Sequence, residues 1–281
     1  MHEVEVPQGT IRYRDSGRGE PIVFLHGAFV DGGLWRRVVS ALEPDFRCLV
    51  PDLPLGSHRV SMRSDADLTP PGLAALVADF IAALGLDGVT LVGNDTGGAI
   101  AQLVATRHPG PLARLVLTPA DAYDNFLPPA FRYLQVLARV PGSMTVLGQA
   151  MRLGFVRDLP IAYGWLAKHG IPSELASAWT EPVRADAGVR RDAAKVLKGI
   201  SKRYTLEAAE RLRTFELPTL LAWATEDRFF TLGYGQRLAE AIPNARLEQI
   251  DDAYTFVSLD QPERLADLVA AFMREPVSPP T

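Results

Sequence analysis

Val89-Thr90-Leu91-Val92-Gly93-Asn94-Asp95-Thr96-Gly97-Gly98-Ala99-Ile100-Ala101-Gln102 is the stretch from which the fold is read. A short run rich in β-formers stops at Gly93, and a helix of small residues opens two residues later. Between them, Gly93-Asn94-Asp95-Thr96-Gly97 has glycine at both ends of a strand-to-helix bend. So sharp a bend pushes its middle residue into a positive-φ backbone state and leaves almost no room for side chains on either side. The spacing therefore predicts a nucleophile elbow, with Asp95 raised above a sheet at the start of a helix.

The apex is a carboxylate and not a hydroxyl. A carboxylate needs no base to be nucleophilic at neutral pH, and the amides and positive end of the following helix favour its ionised form. It suits attack on an sp3 carbon bearing a leaving group, such as an epoxide or a halide, with formation of an enzyme ester. It is a poor choice for opening ordinary esters and amides.

Composition sets the limits around this reading. The chain has 281 residues, 47% hydrophobic and 22% charged, with a net charge of −4 and both signs interspersed. That is enough chain to bury a large core, and it carries no basic stripe of the kind nucleic acid requires. A single cysteine, Cys48, lies in the apolar run Cys48-Leu49-Val50 and reads as a buried thiol, with no metal site suggested. The N-terminus lacks an apolar signal core, and no apolar run reaches membrane-spanning length, so a cytoplasmic address without a membrane partner is expected. The expected partner is a small-molecule substrate, a homodimer is compatible with the sequence, and no cofactor is implied. Residues 276–281, rich in proline, read as a flexible tail.

Reading outward from the elbow, residues 4–6 and 10–14 alternate around Gln8-Gly9 as a hairpin would. Continuous apolar runs at 21–25 and 46–50 have the character of strands buried on both faces. Helices are expected at 34–42, at 70–84 behind a proline, and at 97–108, with a further strand at 114–117. Strand and helix in alternation imply a mainly parallel sheet with helices on both faces. Its right-handed crossovers bring His26-Gly27, the loop 51–58, Asp95 and Asp121 to one edge. From 122 to 215 the alternation stops. That stretch is helical in character, rich in aromatics, and punctuated at Pro128-Pro129, Pro141-Gly142, Pro160, Pro172 and Pro182. It reads as a helical lid inserted after the sixth strand, between core segments 1–121 and 216–275. Strands at 219–224 and 246–250 and helices at 232–241 and 262–273 complete the core.

With these residues in view the chain resembles the α/β-hydrolase fold over nearly its whole length. Within that fold it is similar to the aspartate-nucleophile branch of epoxide hydrolases and haloalkane dehalogenases. The matching motifs are His26-Gly27, the elbow, and Trp223-Ala224-Thr225-Glu226-Asp227. The resemblance implies Asp95 as nucleophile, the amides of Ala28 and Thr96 as oxyanion hole, and Asp227 as the acid that orients a catalytic histidine. His26 is implied to be structural. Asp121 sits where some members place the acid. The pattern Asp-Ala-Gly-His-Phe after the last strand appears here as Asp252-Ala253-Tyr254-Thr255-Phe256, so Thr255 stands where the histidine is expected. A threonine hydroxyl cannot take a proton from water at pH 7. His58, in the loop at the functional edge, is the expected replacement base or a substrate-orienting group, against the alternative of a loop histidine bonded to backbone. Thr96 and Ala28 occupy the places where dehalogenases hold the departing halide with other residues. Among lid aromatics, Tyr163 and Tyr204 are the expected proton donors to an epoxide oxygen, with Phe29, Asp121, Tyr254 and Thr255 also facing substrate.

The expected activity is epoxide-hydrolase-like attack through Asp95 on a small, largely apolar substrate. Two other readings stay open: a lyase, cyclase or isomerase with Asp95 as general base, and a catalytically inactive small-molecule binding module.

Overall fold

The structure, a computed structural model, describes residues 1–276. Most of the expected tail at 276–281 therefore lies outside the described residues. Eight strands form one sheet: β1 (His2–Val6), β2 (Gly9–Ser16), β3 (Pro21–Leu25), β4 (Arg47–Pro51), β5 (Val89–Asp95), β6 (Leu112–Ala120), β7 (Thr219–Ala224) and β8 (Ala245–Ile250). Their order is β1-β2-β4-β3-β5-β6-β7-β8. The hairpin β1–β2 and the pair β2–β4 are antiparallel, and the other pairs are parallel. Parallel strands buried under helices on both faces carry the continuous apolar runs seen in the sequence; Ile22 to Leu25 and Val89 to Val92 are fully buried. This is the α/β-hydrolase fold, with its mostly parallel sheet flanked by helices.

Register places the site. Leu25 pairs with Gly93 across β3 and β5, so the turn His26-Gly27-Ala28 emerges beside Asp95. Asp95 pairs with Ala120 across a shift in the β5–β6 ladder, which brings Asp121 behind it. At the far side Ala224 pairs with Ile250, so the loops carrying Asp227 and Thr255 leave the sheet together.

One face is covered by α1 (Arg36–Leu42), entered through a tight turn at Gly32–Trp35 that Asp31 caps with a 2.8 Å bond from Gly33 N–H. α2 (Pro70–Ala83) and α3 (Thr96–Arg107) pack together on the other face. Between β6 and β7 come α4 (Tyr133–Leu137), α5 (Ser143–Ala150), α6 (Gly154–Arg157), α7 (Ser173–Ala185), α8 (Ala187–Gly199) and α9 (Lys202–Leu212). The core ends with α10 (Leu232–Ala241), α11 (Val257–Asp260) and α12 (Pro262–Met273). The expected break at Pro182 does not occur, because α7 runs through it to Ala185. Proline there removes the bond to the carbonyl of Ala178, and Arg59 Nη2 supplies a 3.5 Å donor to that oxygen instead.

Candidate active site

Asp95 has φ 53° and ψ −130°, a backbone state that L-residues rarely adopt and that the elbow imposes. The flanking glycines answer close backbone approach: a Cβ on Gly97 would lie 2.5 Å from the carbonyl oxygens of Leu25 and His26, and one on Gly93 2.7 Å from that of Gly97. A Cβ on Gly27 would collide with Asp95 Oδ2. The backbone N–H groups of Thr96 and Ala28, the two amides expected in the oxyanion hole, lie close enough to the carboxylate to favour its ionised form. Burial pushes the Asp95 pKa up to about 7, against those two amides and with help from the charge of Asp227.

Two other buried carboxyls stand around it. Asp121 Oδ1 accepts Leu127 N–H at 2.8 Å and Oδ2 accepts the Thr96 hydroxyl at 3.4 Å. Burial first, and the charge of Asp95 second, raise the Asp121 pKa well above the ordinary carboxyl range. Asp227 Oδ1 accepts Phe229 and Phe230 N–H at 2.7 Å each. Its Oδ2 and the Thr255 hydroxyl are both buried without a hydrogen-bond partner. Burial raises the Asp227 pKa to about 6, opposed by those amides and by the nearby Thr255 hydroxyl. Asn94, whose role the sequence reading missed, spans the site: its Nδ2 donates to Thr118 Oγ1, to Pro119 O and, at 2.8 Å, to the carbonyl of Thr255.

A cavity opens above Asp95, with about 700 Å³ of space between atoms, its mouth included. Ala28, Phe29, Thr96 and Tyr163 line it with Asp95; so do Phe131, Tyr133, Leu134, Leu147, Met151 and Ile161 from the helical stretch. Its polar side chains are Asp95, Thr96, Tyr133, Tyr163 and Thr180. Tyr163 donates to Phe29 O at 2.5 Å, and burial raises its phenol pKa. Tyr133 donates to Ile161 O at 2.8 Å.

A profile of the alpha/beta hydrolase fold family matches residues 20–262. The chain belongs to the α/β-hydrolase fold family. It is 30% identical over 266 residues to haloalkane dehalogenase 2 of Mycobacterium tuberculosis, with 92% of this chain and 90% of that protein covered. It is also 29% identical over 290 residues to a cis-3-alkyl-4-alkyloxetan-2-one decarboxylase of Xanthomonas campestris, covering 95% of this chain and 93% of that one. The solved structure of the epoxide hydrolase CorEH shares the fold with a TM-score of 0.80 at 18% identity, covering 97% of each chain.

This α/β-hydrolase chain does not bring every expected residue to the cavity. His26 is sequestered and structural in geometry: Nδ1 bonds Gly27 O at 2.9 Å, Nε2 accepts Leu53 N–H at 2.9 Å, and burial lowers its pKa. His58 does not line the cavity. Its ring is buried between Gly56 N–H, 3.4 Å from Nδ1, and Asp192 Oδ2, 3.3 Å from Nε2, so both nitrogens are occupied. Tyr204 lies on α9 with its hydroxyl against Arg203. Tyr254 is partly exposed and accepts from Arg228 Nη2 at 2.7 Å. Neither lines the cavity, and Asp121, Asp227 and Thr255 are buried behind its wall and not part of its lining, so the expectation that Asp121 and Thr255 face substrate is not met. Tyr133 carried the signal of a lid aromatic; Thr180 carried none.

Proposed function

We propose that this α/β-hydrolase uses Asp95 to attack an sp3 carbon of a small, largely apolar electrophile, most suitably an epoxide, under a cap formed by residues 122–215. One observation carries the reading: a carboxylate on a strained elbow, beside the Ala28 and Thr96 amides at the floor of an apolar cavity. Keeping that strain costs on the order of 1–3 kcal/mol, which an inert pocket has no reason to bear. A halide is served less well, since the lining offers no indole, amide or cationic side chain to hold a departing anion.

Attack by Asp95 breaks the carbon–oxygen bond of the ring, and the freed oxygen takes the proton of Tyr163, which turns away from Phe29 O. Water then adds to the ester carbon while Asp227 accepts its proton and the Ala28 and Thr96 amides hold the oxyanion. On collapse the Asp227 proton passes to the departing alkoxide. Asp95 emerges as an acid, and its proton restores Tyr163. The sum is epoxide plus water giving diol. Asp227 suits the role because its Oδ2 and the Thr255 hydroxyl form a buried acceptor and donor with no protein partner, a setting that one water satisfies. In this reading Asp227 acts directly, where the resemblance implied an aspartate working through a histidine.

The test is intact-protein mass after exposure to a panel of aryl and alkyl epoxides, with diol release followed in parallel. A mass gain equal to the substrate, absent in Asp95→Asn, is expected. Absence of adduct and of diol across the panel would overturn it. A second reading is favoured by the Asp95 pKa of about 7, the strength of a general base, and by the decarboxylase relative. There Asp95 drives an elimination or decarboxylation, and product appears without any adduct.

A further inference from the structure

Exposed apolar side chains on this protein are concentrated in one place. Among the described residues, the large hydrophobic side chains that are strongly exposed all fall between 136 and 165 except Met1 and Leu206: Val136, Val140, Val146, Leu153, Phe155, Leu159, Ile161 and Trp165. Phe155 and Val146 are each 69% exposed. Scattered single apolar residues are ordinary on a surface, but a concentration of this kind marks an interaction site.

The elements that carry them converge around the cavity. Phe131 to Leu134, Leu147 to Met151 and Ile161 to Tyr163 all contribute to its wall, and Tyr133 on α4 bonds the carbonyl of Ile161. Each element turns some apolar residues inward and others outward: Leu134 against Val136 on α4, Met144 and Leu147 against Val146 on α5. Ile161 belongs to both sets, lining the cavity while 48% exposed, so the cavity mouth opens within the exposed apolar surface.

Charge selects the occupant. Residues 132–165, which span the surface, contain four arginines, Arg132, Arg139, Arg152 and Arg157, against one acidic residue, Asp158, in a chain whose net charge is −4. None of the four is in an ion pair among the described residues. Short amphipathic helices with exposed phenylalanine, tryptophan and leucine among arginines that have no carboxylate partner fit the interface of an anionic bilayer, where the apolar side chains enter the headgroup boundary and the guanidiniums meet phosphate.

We propose that the surface formed by α4, α5, α6 and the loop through Trp165 docks peripherally on anionic lipid membranes and presents the cavity mouth to substrate dissolved in the bilayer. No helix among the described residues is long and apolar enough to cross a membrane, so the association is at the surface. It departs from the sequence expectation of no membrane partner, which considered only spanning and signal segments. The proposal does not depend on the chemistry of Asp95: an inactive Asp95→Asn protein docks equally well.

The experiment is flotation with vesicles of phosphatidylcholine alone and with phosphatidylglycerol added, at low and high salt, together with the solution mass of the lipid-free protein. Binding to the anionic vesicles is expected, weakened as salt shortens the screening length. Replacing Arg132, Arg139 and Arg152 by Gln lowers partitioning by about a hundredfold, at roughly fivefold per arginine. The pair Phe155→Ser and Ile161→Ser abolishes it while circular dichroism and melting stay native. Failure to float with anionic vesicles at low salt overturns the proposal, as does undiminished flotation of both variants. A dimer dispersed by Phe155→Ser and Ile161→Ser also overturns it, assigning the surface to a second copy of the chain.

Discussion

On the proposed mechanism, replacing Asp227 by Asn should separate formation of the ester from its removal. Asparagine keeps an oxygen for the Phe229 and Phe230 amides, each 2.7 Å from Asp227 Oδ1, so the loop has no reason to move. What goes is the basic Oδ2 and the negative charge that helps raise the Asp95 pKa to about 7. A positioned general base is worth about 10²–10⁴ in rate, or roughly 3–5 kcal/mol of barrier. Ester hydrolysis in Asp227→Asn should therefore slow by two to four orders of magnitude while a single round of alkylation survives. The pH dependence carries the sign. Only ionised Asp227 accepts a proton, so ester clearance in the native protein rises with pH through about 6, and that limb disappears in the variant. Only ionised Asp95 attacks, so alkylation rises through about 7 in the native protein and through a lower pH once the neighbouring charge is gone. Quenched intact-mass measurement from pH 5 to 9 reads both steps. An Asp227→Asn protein that clears its ester as fast as the native one would refute the reasoning.

Asp95→Asn should raise the melting temperature at pH 8 while abolishing adduct. A carboxyl whose folded pKa is raised from 3.8 to about 7 opposes folding above that pH by up to roughly 4 kcal/mol, a penalty that vanishes as pH falls; equal melting of both proteins at pH 8 would contradict it. Gly27→Ala drives a methyl group into Asp95 Oδ2, and adduct formation should fall at least tenfold with the fold retained, checked by mass and circular dichroism. Tyr163→Phe should slow epoxide opening by about 10²-fold or more without slowing clearance of preformed ester, as single-turnover kinetics can show. His58→Ala should cost on the order of 1–3 kcal/mol in denaturant unfolding, because it strips a partner from the buried Asp192 carboxylate, yet leave alkylation unchanged.

The parts of this protein that were legible in the sequence are those where local sterics leave one choice. Gly93 and Gly97 are required by backbone atoms 2.5–2.7 Å from where a Cβ would sit, and such a demand shows in any single sequence. The strand runs were legible because burial on both faces leaves little room for polar residues. Side-chain direction in the loops was not. His58 lies at the edge predicted for it, but it points to Asp192, 134 residues away on α8, and no local pattern encodes that choice. Tyr204 and Tyr133 look alike as aromatics on helices, and only the packing of α4 and α9 decides which one reaches the cavity. Pro182 was read as a helix end because the donor that relieves it, Arg59, is distant in sequence.

Thr255 is held by its main chain alone. Asn94 grips its carbonyl, the next amide bonds Leu166 O at 2.7 Å, and its hydroxyl bonds nothing in the protein. The scaffold thus fixes the backbone at this position without using the hydroxyl, which stays buried beside Asp227. In the reaction proposed above, position 255 becomes a timer: its side chain stands beside the Asp227 carboxyl that clears the ester, and so sets how long a captured substrate would stay attached to Asp95.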